Sequence, residues 1–174
     1  MQTLVMTIIG DDRPGLVEAL SSRIEAAGGN WLESRMSRLA GQFAGILRVQ
    51  IADGAADGLV SSIEGLGAEG LQVAVRQSGE EPAAAADMTT VRLELVGQDR
   101  PGIVRNIASV ISARGVNVED LHTGCESAPM SGEPLFKVTA KLGLPDGLSM
   151  ADLTEAIEAI ASDLMVDVSL EADA

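Results

Sequence analysis

The segment Gly10-Asp11-Asp12-Arg13-Pro14-Gly15-Leu16-Val17 returns 87 positions later as Gly97-Gln98-Asp99-Arg100-Pro101-Gly102-Ile103-Val104, with six of the eight residues identical. At the same shift Leu20 and Ile24 fall on Ile107 and Ile111, and Gly28 and Asn30 on Gly115 and Asn117. A duplication constrains the fold more than any single motif, because whatever one half folds into the other must fold into as well. Each copy, at about 80 residues, is long enough for its own core. The 174 residues therefore read as two small domains, residues 1–77 and 89–172. Residues 78–88 between them hold Gly79, Glu80, Glu81, Pro82 and four alanines without hydrophobic periodicity, which reads as a linker.

Each copy reads β-α-β-β-α-β. Leu4, Met6 and Ile8, and Val91, Leu93 and Leu95, alternate with other residues as a half-buried strand requires. Leu16, Leu20 and Ile24, and Ile103, Ile107 and Ile111, recur every fourth residue, the stripe of a helix on a core. Pro14 and Pro101 suit the first helical turn, Asp12 and Asp99 lie near the N-cap, and Gly28-Gly29 and Gly115 stop the helices. A hairpin follows, with Leu47, Val49 and Ile51 or Phe136, Val138, Ala140 and Leu142 on its second strand. A second helix carries Val60, Ile63 and Leu66 or Leu153, Ile157 and Ile160, and Val73 or Val168 centres the last strand. The hairpin turns tightly at Ala40-Gly41-Gln42 in the first copy but needs a longer loop, Glu126 to Glu133, in the second. Such an insertion either serves a copy-specific role or is a tolerated surface feature. The expected fold class is α+β: two ferredoxin-like βαββαβ units, each a four-stranded antiparallel sheet with both helices on one face.

Composition narrows the partners. With 26 Asp and Glu against 12 Lys and Arg, the net charge is −14. No basic patch interrupts it, so neither a phosphate backbone nor an anionic membrane surface is an expected partner. Aromatics at 2% leave no base-stacking platform. A single cysteine, Cys125, fits a reducing compartment, and no signal sequence or apolar span is read. The expectation is a cytoplasmic protein.

Two βαββαβ units that each carry Gly-x-Asp-Arg-Pro-Gly-(Leu/Ile)-Val between first strand and first helix, with a downstream Gly and Asn, resemble ACT domains over nearly the whole chain. Among ACT chains, one with two units and no attached enzyme is similar to the glycine cleavage system transcriptional repressor group. That resemblance implies an amino-acid-responsive regulator that represses indirectly, through a DNA-binding activator as protein partner. It also implies a small effector such as glycine or serine bound at the loop, often between paired domains of a homodimer or of one chain. No cofactor is implied. The same resemblance leaves room for a ligand-independent interaction module, or for a free-standing regulatory subunit of an enzyme of amino-acid metabolism.

The loop's own chemistry is compatible with such a ligand. Pro14-Gly15-Leu16 and Pro101-Gly102-Ile103 open helices whose free N–H groups and positive dipole end attract a carboxylate. Asp11, Asp12 and Asp99 could take an ammonium group, and Asn30 and Asn117 offer donor and acceptor together. Gln98 replaces Asp11 in the second copy, which removes one ammonium partner. Arg13 and Arg100 either clamp a carboxylate or pair with acidic groups at the surface, and the second role is favoured. The same turn without a ligand is ordinary N-cap chemistry, so both readings stand at this point.

Catalysis is not expected. His122 and Cys125, three apart on one strand, point to opposite faces. A metal would lack further His or Cys ligands. No phosphate-binding glycine loop or nucleophile elbow occurs.

Overall fold

The structure, a computed structural model, describes residues 1–79, 88–128 and 132–172. The chain divides into two compact units between Glu81 and Pro82. Of the expected linker, only Ser78, Gly79 and Met88 lie among the described residues, and the Ser78 N–H still donates to the Thr3 carbonyl at 2.8 Å.

Unit 1 comprises β1 (Gln2–Asp11), α1 (Leu16–Ala26), β2 (Asn30–Leu39), β3 (Gln42–Ile51), α2 (Ala56–Glu64) and β4 (Leu71–Gln77), with a short 3₁₀ turn at each end of α2. Unit 2 repeats the order as β5 (Thr89–Gln98), α3 (Ile103–Ala113), β6 (Asn117–Ser127), β7 (Pro134–Leu144), α4 (Met150–Leu164) and β8 (Val166–Ala172). The sheets run β2-β3-β1-β4 and β6-β7-β5-β8, antiparallel throughout. This is the split βαβ arrangement that the hydrophobic periods predict.

Each unit has its own core. In unit 1, Leu4, Met6 and Ile8 of β1 and Leu47, Val49 and Ile51 of β3 are buried against Leu16, Leu20 and Ile24 of α1. Both helices therefore cover one sheet face, and the other face is open. The second-helix stripe differs from its prediction by one position. Leu59 is buried rather than Val60, and Ala161 rather than Ile160. Ala56, Leu59, Ile63 and Leu66, like Leu153, Ile157 and Ala161, hold the three-four spacing of a straight helix on a flat sheet. Each fully buried aliphatic side chain contributes roughly 1.5–3 kcal/mol, and no described polar side chain is buried.

Gly10 and Gly97 explain why the loop motif begins with glycine. A Cβ on Gly10 would stand 2.5 Å from the Gly70 carbonyl oxygen, and one on Gly97 would stand 2.6 Å from the Met165 carbonyl oxygen. Only a residue without a side chain lets the neighbouring strand approach there.

The hairpins differ less than the sequence suggests. In unit 1, Ala40 (φ 49) and Gly41 (φ 80) form a two-residue turn with both φ angles positive, the pattern that matches strand twist. In unit 2 the strands run further, so Glu126 and Ser127 pair with Leu135 and Pro134 instead of belonging to a loop. The remaining connection is closed by Ala128 donating to the Glu133 carbonyl at 2.8 Å. The expected copy-specific role falls largely on residues 129–131, outside the described residues.

Candidate functional site

The segment between β1 and α1 leaves the sheet at Asp11 and enters the helix at Leu16. Gly15 has φ 91 and Gly102 has φ 96, in the left-handed region. A residue there cannot belong to a right-handed helix, so Pro14 and Pro101 stand before the helix rather than in its first turn. The capping position belongs to Gly15 and Gly102, and no side chain caps α1 or α3. Asp12 and Asp99 therefore do not serve as N-caps. Their main chains are tied to the hairpin instead: the Asp12 N–H donates to the Gly41 carbonyl at 2.9 Å, and the Asp99 N–H to the Pro134 carbonyl at 3.2 Å.

In unit 1 this leaves the α1 N-terminus without a side-chain acceptor, at a shallow depression. Asp12, Arg13, Gly15, Leu16 and Glu18 line one side of it and Phe43 of β3 the other. The uncapped N–H groups and the dipole end favour an anion; Asp12 and Glu18 at the rim favour a cation. A zwitterion satisfies both.

Of the rim carboxylates Asp12 is already engaged, and Asp11, on the opposite sheet face and outside the depression, has a partner as well. Asp12 pairs with Arg38 Nε at 3.0 Å, and Asp11 Oδ1 accepts from Gln42 Nε2 at 2.7 Å. Arg13 donates to the Glu69 carbonyl at 2.7 Å, so it is held by backbone rather than by an acidic side chain. Phe43, Glu18, Arg38 and Gln42 were not among the sequence candidates. The hairpin register was the signal that locates Phe43, Arg38 and Gln42, since Leu39↔Gln42 and Arg38↔Phe43 follow from a turn at Ala40-Gly41, whereas Glu18 is placed by the first turn of α1.

Unit 2 arranges the loop differently. Gln98 donates to Glu133 at 3.4 Å, and Arg100 reaches Gln98 Oε1 at 3.2 Å and Met165 Sδ at 3.0 Å. The position of Arg38 is held by Cys125, since both pair with the phenylalanine opposite the motif glycine. Asp99 thus has no ion-pair partner among the described residues. An apolar groove runs between α3 and β6, with Val104, Val118 and Leu121 at its mouth.

Asn30 and Asn117 are not brought to these loops within a unit. Asn30 pairs with Gln50, which pairs with Thr3, whereas the loop follows Asp11. Eight residues of strand separate the two rows, about 27 Å. Asn117 pairs with Gly143 beside Thr90, with the same separation from Gln98.

His122 and Cys125 lie on opposite faces of β6, paired with Thr139 and Phe136. His122 Nε2 is 3.4 Å from Asp120, and both residues are exposed or half-exposed. Glu126 and Glu119 face Lys137 and Lys141 at 2.6 and 3.8 Å. Among the described residues no cluster of three His, Cys, Asp or Glu could hold a metal ion, and no helix is long and apolar enough to cross a membrane.

Two family models described as ACT domain match residues 2–76 and 86–162. The chain belongs to the ACT-domain family. It carries two ACT domains in tandem, the second match ending within α4 while the structure continues through β8. The glycine cleavage system transcriptional repressors of Escherichia coli (strain K12) and Shigella flexneri are each 21% identical over 168 residues, covering 96% of this chain and 88% of theirs. The crystal structure of an unknown protein from Galdieria sulphuraria superposes with TM-score 0.87 at 27% identity, covering 99% of both chains. A structure provisionally assigned to the glycine cleavage system transcriptional repressors gives TM-score 0.71 at 19% identity, covering 98% of this ACT chain and 96% of the other. The tandem ACT fold and a distant relation to the repressors are therefore established.

Proposed function

We propose that this ACT-domain protein is an amino-acid-responsive, non-enzymatic regulator that acts in the cytoplasm as an indirect repressor of glycine cleavage. It would take glycine or serine at the β1–α1 loop and signal through a DNA-binding protein partner. The observation that carries the reading is the uncapped α1 N-terminus opening onto a depression rimmed by Asp12 and Glu18. It presents donors for a carboxylate beside acceptors for an ammonium group. The net charge of −14 supports an indirect mechanism, since such a chain is repelled by DNA. Asn30 and Asn117 would join the site only from another ACT unit, which is why pairing of units belongs to the proposal. Titration calorimetry with glycine, serine and the other amino acids tests it: saturable heat with glycine or serine supports the reading, and no heat at millimolar ligand overturns it.

One observation favours a second reading. Asp12 and Asp11 already have partners in Arg38 and Gln42, as in a module that docks on proteins without an effector. Capture of the neighbouring transcriptional activator, equal with and without glycine, would favour that module.

A further inference from the structure

The open faces of the two sheets have diverged, and the difference points to a partner. In unit 1, Ile9, Ala44, Ile46 and Ala74 sit on the face away from the helices, joined by the registers Ile9↔Ala44, Thr7↔Ile46 and Thr7↔Ala74. Ile9 and Ile46 are 46% and 51% exposed, a large share for isoleucines on a rigid sheet. At the same four positions unit 2 has Val96, Lys137, Thr139 and Ser169, the pattern of a solvated face. Duplicated units under the same folding constraints do not need this difference, so the apolar face of unit 1 is not a requirement of the fold.

Its charges select the occupant. Arg35 on β2 and Arg76 on β4 flank the apolar floor, both exposed and without an ion pair among the described residues. Arg48 between them faces Glu33 at 3.8 Å. Asp11 lies at the end of the same face, where it accepts from Gln42, so three arginines stand against two carboxylates, an excess of cations around an aliphatic floor in a chain of net charge −14. Three strand spacings separate β2 from β4, about 14 Å, and a helix with its side chains is about 10–12 Å across. A second copy docking through the same face would set one excess of cations against another, whereas an acidic helix would neutralise it.

We propose that the open sheet face of unit 1 docks an amphipathic helical segment of a partner protein, with aliphatic side chains on Ile9 and Ile46 and flanking carboxylates on Arg35 and Arg76. Arginine's planar fork suits carboxylates at such a rim. This rests on the partner limb of the proposed function and is independent of amino-acid binding at the loop.

The test uses the full chain and a synthetic helical peptide with a leucine stripe flanked by glutamates, its scrambled version, and a version with lysines for the glutamates. Amide shifts are followed by NMR. The expected result is saturable shifts on β1, β3 and β4 of unit 1 but not on unit 2, at least tenfold weaker binding to Ile46→Glu and to the double variant Arg35→Glu/Arg76→Glu, and none with the lysine peptide. Binding that is unchanged in those variants, equal binding of the scrambled peptide, or absence of shifts at millimolar peptide overturns the proposal. So does a concentration-dependent dimer that Ile46→Glu dissolves, which would make a second copy the occupant. Glycine calorimetry on the same sample reads the loop separately, so failure of one does not pass for failure of the other.

Discussion

Arg38 Nε stands 3.0 Å from the Asp12 carboxylate, and the matching residue of unit 2 is Cys125, which has no positive charge to offer Asp99. The two loops, near-identical in sequence, therefore differ electrostatically through a residue more than twenty positions away on the adjoining hairpin. The replacement of Asp11 by Gln98 suggests a weaker second loop. The structure adds an opposite effect, since Asp99 is the carboxylate left without a cation, while the depression lies in unit 1. If Asp12 receives the ligand's ammonium group, Asp12→Asn removes a charge-assisted hydrogen bond of about 1.5–3 kcal/mol, or about 10- to 100-fold in affinity. The Arg38 pair is largely exposed, so Arg38→Ala should change stability by less than about 1 kcal/mol. Calorimetry with glycine on Asp12→Asn and Asp99→Asn, beside urea unfolding of Arg38→Ala, checks both statements.

Gly10→Ala should be the most damaging small substitution in the loop motif. The added methyl would lie 2.5 Å from the Gly70 carbonyl oxygen, and backbone on both sides must move, at a cost near the upper end of the about 1–3 kcal/mol that overpacking takes. Gly15→Ala meets no atom within 4 Å and should lose only the left-handed backbone preference, about 1–2 kcal/mol. The sole tryptophan, Trp31, packs against the unit 1 core, so its fluorescence in urea reports that unit. Gly10→Ala should lower its midpoint more than Gly15→Ala does, while Gly97→Ala leaves it in place. Equal shifts for Gly10→Ala and Gly97→Ala would show that the units unfold as one.

Ala40 holds φ 49 at the β2–β3 turn, a conformation that alanine adopts reluctantly and asparagine tolerates. Ala40→Asn should therefore recover part of the about 1–2 kcal/mol that the left-handed conformation costs alanine and so stabilise unit 1. The Trp31 midpoint should rise; a fall would mean that the turn relaxes to a different type.

The fold was legible because the signals repeat. Two alternating strands, two four-residue stripes and Gly28 and Gly115, whose positive φ ends each first helix, recur in both copies. The site was legible only as a loop. Arg38 and Phe43 reach it through hairpin register, and a register depends on where two ten-residue strands begin to turn, which Ala40-Gly41 marks only once the strand ends are fixed. Asn30 shows the converse. It follows the helix closely in sequence, yet β2 begins at the far end of the sheet, so proximity along the chain misled where strand direction decides. Pro14 misled in a similar way: the left-handed Gly15 behind it moves the helix start by two residues. The open-face contrast between Ile46 and Thr139 was invisible until the hairpins were aligned with their unequal lengths.

Helix α4 carries a feature that the other three helices lack. Ser149 Oγ accepts from the Asp152 N–H at 3.1 Å, and Asp152 Oδ2 accepts from the Ser149 N–H at 3.3 Å and its hydroxyl at 2.5 Å, a reciprocal capping box. The Ser149 side-chain hydroxyl, then its backbone N–H, hold the Asp152 carboxyl below its ordinary value of 3.8. A carboxyl whose folded value lies below its unfolded one stabilises the fold only when ionised. The contribution is therefore complete above the ordinary value and fades as pH falls through 3.8 toward the folded value. Ser149→Ala should cost unit 2 about 1 kcal/mol at neutral pH, read as a lower midpoint for the helical circular-dichroism signal with the Trp31 transition unmoved. The difference between Ser149→Ala and the parent chain should shrink as the pH is lowered below 3.8, because protonated Asp152 no longer favours the cap. A gap that stays constant down to strongly acid pH would show that the cap acts through the serine alone.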